Sequence, residues 1–402
     1  SFLTVPMRNH ENEIIGVVQL INSIDPASQA VRAFSKDDQQ LLESLASQAA
    51  IALSNRRLIQ QLESLFESFI TLINTAIDDK SPYTAGHCVR VPALTMMLAE
   101  AASHKQDGSS WPGYEMSEKE KYELKIAAML HDCGKITTPV HVVDKSTKLE
   151  TIFDRVHLVA TRFEVLKRDA EIVLLRAEIA AAGDTAVLEQ ARQKFAATVK
   201  QMDEDCEFLR WCNLGAERMA DTDLERVRQI AKYEWRNEIG EITSFLSAEE
   251  VENLTIRAGT LTAAEREIIN HHIVVTIKLL ESLPWPRHLK NVTDLAGAHH
   301  ERMDGTGYPR GLTREQMSLQ ARMMCIADIF EALTAKDRPY KEGKMLTDAL
   351  NILGKFKLNG HIDPDLFDIF VREKVYLTYA QQFLDPSQIN EVDESKIPGY
   401  AA

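Results

Sequence analysis

The first part of the chain alternates between apolar and polar positions over short distances, which is typical of β-strands. Residues 1–7 alternate loosely, a polar turn follows at 8–13, and residues 14–21 form a run rich in β-branched side chains. Two strands cannot bury a hydrophobic core on their own. We therefore expect residues 1–55 to be the carboxy-terminal part of an α/β domain whose beginning lies outside this sequence.

A long helix is predicted over residues 36–80. Ser35 and Asp38 have the spacing of a helix-capping pair, and neither glycine nor proline interrupts the segment that follows. Apolar residues then alternate between four and three positions apart, at Leu58, Leu62, Leu65, Phe69, Leu72 and Ala76. This heptad spacing predicts a coiled-coil seam and a homodimer through the linker helix, with an ordinary amphipathic helix as the alternative.

A second helical pattern fills the stretch 151–257. One apolar series consists of Ile152, Val156, Val159, Phe163, Leu166, Ala170, Val173 and Ala177, and a second consists of Leu188, Phe195, Met202 and Leu209. The turn residues 182–184 separate the two series. We interpret the segment as an antiparallel helical hairpin that serves as a stabilising arm or as a surface for dimerisation or a partner.

Composition narrows the class of protein. The chain has 402 residues and a formal net charge of −14, which argues against a broad nucleic-acid-binding surface. No apolar run is long enough to predict a membrane span. The five cysteines are odd in number and form no CxxC pair, so we expect free thiols in a reducing cytoplasm.

Histidine clusters are the strongest chemical signal. They occur at His87, His131-Asp132, His141, His271-His272 and His299-His300, and Asp328 follows. Imidazole and carboxylate donors without thiolate suit iron, manganese, zinc or nickel. A single histidine is more often a surface residue, but this many donors would serve two cations about 3.5–4 Å apart, the spacing of two-metal phosphoester hydrolysis.

Three phrases bring these residues into one pattern: HDCGK at 131–135, HHERMDGTGYP at 299–309 and ADIFEALT at 327–334. Together they resemble the HD-GYP family, the bacterial cyclic di-GMP phosphodiesterases built on the helical HD hydrolase fold. The resemblance implies a mainly α protein with an HD-GYP core in two parts, 81–150 and 258–385, on either side of the insertion 151–257. Residues 1–55 resemble the end of a GAF sensor domain, and residues 386–402 are predicted to form a loosely ordered acidic tail.

The resemblance also implies a metal centre, position by position. Its ligands would be His87, His131, Asp132, His272, His299, His300 and Asp328. His272 fits the family phrase better than His271, which is the fallback. Some members bind a third metal through a glutamate, but Tyr83 stands at that position here, and a phenol is a poor ligand. We therefore expect two divalent metals, iron or manganese ahead of nickel, zinc and magnesium.

The same resemblance implies roles for residues that face the substrate. Asp132 would bridge both metals, and Lys135 would contact the scissile phosphate and assist the leaving oxygen. Gly307, Tyr308, Arg338 and Lys341 would bind the substrate, the glycine by letting the backbone approach the ligand. Without the neighbouring HD pair, Lys135 would be read as a surface lysine and the glycine loop as a structural turn.

The expected function is metal-dependent hydrolysis of cyclic di-GMP to pGpG, to GMP or to both. One alternative is hydrolysis of another cyclic dinucleotide or nucleotide. Another is a non-catalytic adaptor that binds cyclic di-GMP or a diguanylate cyclase through the GYP loop. The complete ligand set favours an enzyme, because an adaptor has no need of it.

Overall fold

The computed structural model describes residues 1–80, 86–103, 114–182, 184–215, 218–237, 239–336 and 343–400. Within these ranges the chain is mainly helical, as expected, and its strands form small antiparallel pairs. The chain divides into two compact units, Ser1–Leu72 and Ile73–Ala402. Among the described residues, no helix combines the length and apolar character that crossing a membrane requires.

The strands are β1 (Phe2–Arg8), β2 (Ile14–Ile21), β3 (Ser23–Ile24), β4 (Val31–Arg32), β5 (Glu234–Arg236) and β6 (Ile242–Ser244). The first helices are α1 (Lys36–Lys80), α2 (His87–Ser103), α3 (Glu118–Leu130), α4 (Val140–Val143), α5 (Val156–Ala180), α6 (Thr185–Asn213), α7 (Asp221–Ala231) and α8 (Ala248–Leu254). The remaining helices are α9 (Ala263–Asn270), α10 (His272–Glu281), α11 (Val292–Ala296), α12 (Leu319–Thr334), α13 (Leu346–Leu358), α14 (Pro364–Arg372) and α15 (Val375–Phe383).

In the first unit, the two predicted strands are confirmed as the antiparallel pair β1–β2. Val5 and Met7 of β1 pack with Leu42, Ala46 and Ala50 of α1 in a small buried cluster. The alternating pattern of β1 and the helical pattern of α1 thus each supply one apolar face to the same core.

The predicted capping box at the start of α1 is present. The backbone N–H of Ser35 donates to the Asp38 carboxylate at 2.8 Å, and the N–H of Asp38 donates to the Ser35 hydroxyl at 3.1 Å. Along the predicted seam, the side chains from Leu58 to Leu72 are 47 to 65% exposed in the single chain. A continuous apolar stripe on this helix is therefore open to solvent.

The second unit is organised around α12, which is buried on nearly all sides. Met323, Met324, Ile326 and Phe330 are fully buried within it, as expected for a helix in the centre of a core. The helix packs against α2, α11, α13 and α14. Asp328 lies in this central helix, so its carboxylate is carried into the interior with it.

A short 3₁₀ turn, Cys133–Thr137, follows α3 and packs directly on α10. A Cβ at Gly134 would lie 2.0 Å from the His272 carbonyl oxygen, so only glycine fits at this crossing. The Gly134 N–H donates to the Thr276 hydroxyl at 2.9 Å. This close approach places Asp132, at the end of α3, beside His272, the first residue of α10.

In the segment 151–257, which the sequence analysis interprets as an inserted hairpin, α5 and α6 pack against each other. The segment also contains α7, the β5–β6 pair and α8, which share one buried cluster with the hairpin. The buried members of this cluster are Leu149, Val159, Phe163, Leu166, Leu209, Cys212, Met219, Leu224, Val227, Ile230, Phe245, Leu246 and Leu254. The insertion therefore has a hydrophobic core of its own.

Two positions of the predicted hairpin seam are wrong. Ile152 is 95% exposed because it precedes the first turn of α5, so helical periodicity does not apply to it. Val173 is 63% exposed, whereas Leu174 is partly buried. A straight helix has 3.6 residues per turn, so its buried stripe drifts from a strict heptad after two or three turns.

The carboxy-terminal segment also differs from expectation, because residues 386–400 pack against the core. Gln388 and Ile397 are buried, and the Gln388 amide donates to the Thr334 carbonyl at 2.9 Å. Alongside its acidic residues this segment carries side chains that are buried, such as Gln388 and Ile397. The negative charge of the segment therefore does not keep it in solvent.

The two ends of the insertion lie together, as the resemblance requires. The Thr260 hydroxyl donates to the Lys145 carbonyl at 3.0 Å. Lys148 is fully buried against the insertion, and its ammonium donates to the Ile256 carbonyl at 2.7 Å. Burial lowers the pKa of Lys148 to about 8. Deleting the insertion would remove the groups that bury and accept from Lys148. A deletion variant should therefore lack Lys148 as well.

We predict that replacing residues 148–256 with a short Gly/Ser linker leaves a folded protein that binds metal and retains part of its activity. The insertion has its own core, and loop closure changes by only about 0.6 kcal/mol per doubling of loop length. Metal analysis and light scattering of the purified variant test this. A change in oligomeric state would identify the insertion as an interface, and complete loss of metal would contradict the assignment of 151–257 as a separate unit.

Candidate metal centre

Seven side chains proposed as ligands from the sequence meet in one buried cluster. The structure groups them as three sets of donors that could hold a metal: His87, His131 and Asp328; His131, Asp132 and His299; and His272, His299 and His300. His271 is exposed and His141 is exposed, so neither belongs to the cluster. Helices α2, α3, α10 and α12 and the turn after α11 each supply part of it.

Asp132 lies between the two outer sets. Its Oδ2 is 3.1 Å from Nε2 of His87 and 3.3 Å from Nε2 of His131. Its Oδ1 is 3.2 Å from Nε2 of His272 and 3.9 Å from Nε2 of His299. One carboxylate oxygen therefore faces each side of the cluster, which is the arrangement that a bridging ligand requires.

Backbone carbonyls fix the orientation of three imidazoles. Nδ1 of His131 is 2.8 Å from the Ala128 oxygen, Nδ1 of His272 is 2.5 Å from the Ile269 oxygen, and Nδ1 of His299 is 2.7 Å from the Ala296 oxygen. A carbonyl can only accept, so each Nδ1 must carry the proton. In a neutral imidazole Nε2 then has a free lone pair, and all three Nε2 atoms point into the cluster.

The unpaired atoms of the cluster fit a cation. Among the described residues, Oδ1 of Asp132 and Nε2 of His272 and His299 are buried without a hydrogen-bond partner. Nε2 of His87 and Nε2 of His131 are only 3.2 Å apart. Two donors about 2.1 Å from one ion at a right angle are separated by about 3 Å, so this spacing matches two ligands of one metal.

Glu331 is a site residue that the sequence analysis missed. It is 1% exposed, its Oε2 lies 2.5 Å from Nδ1 of His87, and its Oε1 accepts from Nε of Arg90 at 2.6 Å. It therefore holds the His87 ring so that Nε2 faces the cluster. The available signal was its position three residues after Asp328, on the same face of α12.

The surroundings of the cluster favour an anionic Asp132 and neutral imidazoles at His299 and His300. Burial lowers the pKa of His300 to about 4 and lowers that of His299 well below its usual value. Burial alone would raise the pKa of Asp132, but Lys135 and His131 lower it well below the usual range. Burial opposes protonation of His131, but the adjacent Asp132 raises its pKa to about 9.

Lys135 and Tyr308 lie beside the cluster. The Lys135 ammonium donates to Oδ2 of Asp132 at 2.5 Å. The Tyr308 ring lies against the His300 ring with centroids 4.9 Å apart, and the Tyr308 N–H donates to the His300 carbonyl at 3.2 Å. Both side chains border the space that the candidate ligands surround.

Gly307 lies close to the backbone of its own chain. A Cβ at this position would lie 2.4 Å from the Arg302 nitrogen and 2.5 Å from Cα of Glu301. The close approach that requires glycine is therefore to the chain's own backbone. The expected site positions Tyr83, Arg338 and Lys341 lie outside the described residues.

Glu301 fixes the loop that carries Tyr308. Its buried carboxylate accepts from the backbone N–H of Arg310 at 2.7 Å and from that of Leu312 at 2.9 Å. The loop is thus tied back to the segment that supplies His299 and His300. Sequence analysis did not single out this glutamate, because its partners are backbone groups.

Comparison with known proteins agrees with this geometry. A family model of the HD domain matches residues 84–258, and a second HD-domain model matches residues 225–366. The chain therefore contains an HD domain. A GAF-domain model matches residues 1–53, so the expected GAF resemblance of the first strands is confirmed as well.

Several curated proteins resemble part of this chain. A cyclic di-GMP phosphodiesterase of Pseudomonas aeruginosa is 48% identical over 116 residues, which are 29% of this chain and 27% of that protein. A 3'3'-cGAMP-specific phosphodiesterase of Vibrio cholerae is 40% identical over 112 residues, 28% of this chain and 23% of that protein. A cyclic di-GMP phosphodiesterase of Thermotoga maritima is 30% identical over 128 residues, 32% of this chain and 34% of that protein. The matched segment thus spans about a third or less of each relative.

We predict that Glu331→Gln weakens metal binding by about 10- to 100-fold, the usual cost of losing a partner that orients a ligand. The amide keeps the size of the side chain but removes the charge that holds the His87 imidazole. Metal content measured against a graded chelator series tests this. Glu281→Gln, at an exposed position at the end of α10, is the matched control, and equal metal retention in both variants would contradict a role for Glu331 in orienting His87.

Proposed function

We propose that this chain hydrolyses the bacterial second messenger cyclic di-GMP, either to linear pGpG or in a second hydrolysis onward to GMP, using two divalent metal ions, iron or manganese. The observation that carries the proposal is the position of Asp132, with one carboxylate oxygen toward each of two sets of imidazoles. We take His87, His131 and Asp328 as ligands on one side and His272, His299 and His300 on the other. The names of the curated relatives support the substrate class.

Hydrolysis adds water across one phosphodiester bond. A bond forms between the water oxygen and phosphorus, the bond to the leaving sugar oxygen breaks, and that oxygen takes up a proton. Two bound divalent metals supply Lewis-acid stabilisation and a more acidic water for this reaction. In our proposal, Asp132 would hold one metal with each carboxylate oxygen, and the carbonyl-anchored imidazoles would complete the two sets of ligands.

Lys135 is the proposed catalytic residue outside the ligand set. Burial lowers its pKa, but Asp132 outweighs that effect and raises it, so the ammonium keeps its charge at neutral pH. With metals bound to Asp132, the ammonium is placed to donate to the scissile phosphate and to the leaving oxygen. Tyr308 and Gly307 are proposed to contact the substrate beside His300, and Arg338 and Lys341 to bind its phosphate or guanine edges.

A second substrate has support of its own, because relatives named as 3'3'-cGAMP-specific phosphodiesterases are 40 and 44% identical over the matched segments. Anaerobically purified protein with measured metal content should therefore be offered cyclic di-GMP and 3'3'-cGAMP separately, with chromatography of the products. Turnover of cyclic di-GMP supports the main proposal. Turnover of 3'3'-cGAMP alone supports the second, and binding without turnover by the metal-loaded protein supports an adaptor.

The exposed seam of α1 supports a homodimer. The side chains Leu58, Leu62, Leu65, Phe69 and Leu72 form a solvent-open stripe with heptad spacing, which a second copy of the same helix would cover. We further propose a cytoplasmic location, since none of the five cysteines forms a disulfide. A diguanylate cyclase is the proposed protein partner.

We predict that Leu62→Lys with Leu65→Lys converts the dimer to a monomer, because like charges would then face each other across the seam. The control is Gln60→Lys with Ser64→Lys, which adds the same charge on the exposed face away from the seam. Molar mass by light scattering distinguishes the variants. A monomeric wild-type chain, or a dimeric seam variant, would contradict this interface.

We predict that Asp132→Ala abolishes hydrolysis and lowers metal content, since the proposed bridge is removed. Lys135→Ala should keep its metals and lose turnover by about 100-fold or more. Lys119→Ala, which removes an exposed lysine in the first turn of α3, is the control and should behave as wild type. Normal activity in Asp132→Ala would show that the proposed centre is wrong.

A further inference from the structure

The last two turns of α1 contact three segments: the end of α3, the 3₁₀ turn that follows it, and the residue before α2. The Asn74 amide donates to the Met129 carbonyl at 2.8 Å, two residues before His131. The Gly86 N–H, directly before His87, donates to the Asp78 carboxylate at 3.2 Å. Lys80, the last residue of α1, reaches the turn that carries Lys135. The end of the linker helix is therefore hydrogen-bonded to the backbone on either side of the candidate ligands.

Lys80 makes the most extensive of these contacts. Its ammonium donates to the Thr138 carbonyl at 2.7 Å, to the Lys135 carbonyl at 3.4 Å, and also to the Ile136 carbonyl. The last carbonyls of a helical turn lack donors within the turn, and a cation at that end satisfies them and favours the local dipole. Lys80 thus caps the 3₁₀ turn Cys133–Thr137 from outside, 56 residues away in sequence from Ile136.

This turn is also held by α10. Gly134 lies against the backbone of α10, where no Cβ would fit. In sequence, Lys135 lies between Gly134 and Ile136, which accepts from Lys80, and its ammonium donates to Asp132. The position of the Lys135 ammonium therefore depends on how α10 and the end of α1 hold the backbone of the turn.

We propose that Lys80 is a positioning residue for the reaction, which acts through the backbone of the 133–138 turn to place the Lys135 ammonium. This inference rests on the proposed function, because it assigns Lys80 to the same site. If the end of α1 moved, the Lys135 ammonium would move with it. Turnover would then change while the metal ligands stayed in place.

Three variants separate positioning from general stability. Lys80→Met keeps most of the side-chain length and removes the donors, and Lys80→Arg keeps a charged donor. Lys36→Met, at the exposed beginning of the same helix, is the matched control. For each full-length protein we would measure bound metal, kcat and KM for cyclic di-GMP, and amide hydrogen exchange of the peptide that spans residues 133–138.

We expect Lys80→Met to keep its metals and its KM within about twofold, while kcat falls by about 10- to 100-fold, as for a reacting group displaced by about 1 Å. Exchange in the 133–138 peptide should quicken, because the hydrogen bonds of the turn from Lys135 N–H to Asp132 and from Thr138 N–H to Lys135 lose their support. Lys80→Arg should recover most of both properties, and Lys36→Met should match wild type.

Wild-type kcat and exchange in Lys80→Met would overturn the proposal. So would loss of metal together with turnover, or an arginine variant as poor as the methionine variant, since either result indicates a purely structural lysine. If metal-loaded wild type fails to hydrolyse cyclic di-GMP, the proposed function fails. Faster exchange confined to the 133–138 peptide of Lys80→Met would then still show that Lys80 holds the turn.

Discussion

The second unit depends on one buried carboxylate. Asp132 is 2% exposed and is surrounded by imidazole nitrogens from α2, α3, α10 and the segment after α11. A carboxylate in such a place is costly unless charges and donors compensate it. Lys135 and His131 compensate it in part, and the unpaired Oδ1 faces the side where a cation fits. The helices around Asp132 therefore have to end at defined places and in defined orientations.

Helix ends provide these orientations. His87 and His272 are the first residues of their helices, and His131 caps the last turn of α3. At such positions an imidazole can donate Nδ1–H to a carbonyl three residues earlier, as His131, His272 and His299 do, and direct Nε2 away from the helix. For His87, a carboxylate takes that role, because Oε2 of Glu331 from the central helix lies 2.5 Å from its Nδ1. The rings are thus oriented before any metal arrives, which reduces the cost of ordering a site on binding.

Local patterns predicted the secondary structure well, because their causes are local. The Ser35–Asp38 box, the uninterrupted α1 and the α5–α6 hairpin all depend on residues a few positions apart. The candidate site was found from motifs, since spacing alone would have left His87 an ordinary histidine and would not have separated His272 from His271. Glu331 and Lys80 could not have been found this way, because their partners are 244 and 56 residues distant in sequence. The extent of the insertion core, which joins Leu149 to Leu254, depends on tertiary contacts in the same way.

The central claim is that Asp132 bridges two metals, and anomalous diffraction from crystals of the anaerobically purified, metal-loaded protein tests it most directly. The account predicts two anomalous peaks about 3.5–4 Å apart, one beside His87, His131 and Asp328 and the other beside His272, His299 and His300, with one Asp132 oxygen on each. A single peak, three well-occupied peaks, or two peaks that Asp132 does not join would contradict it.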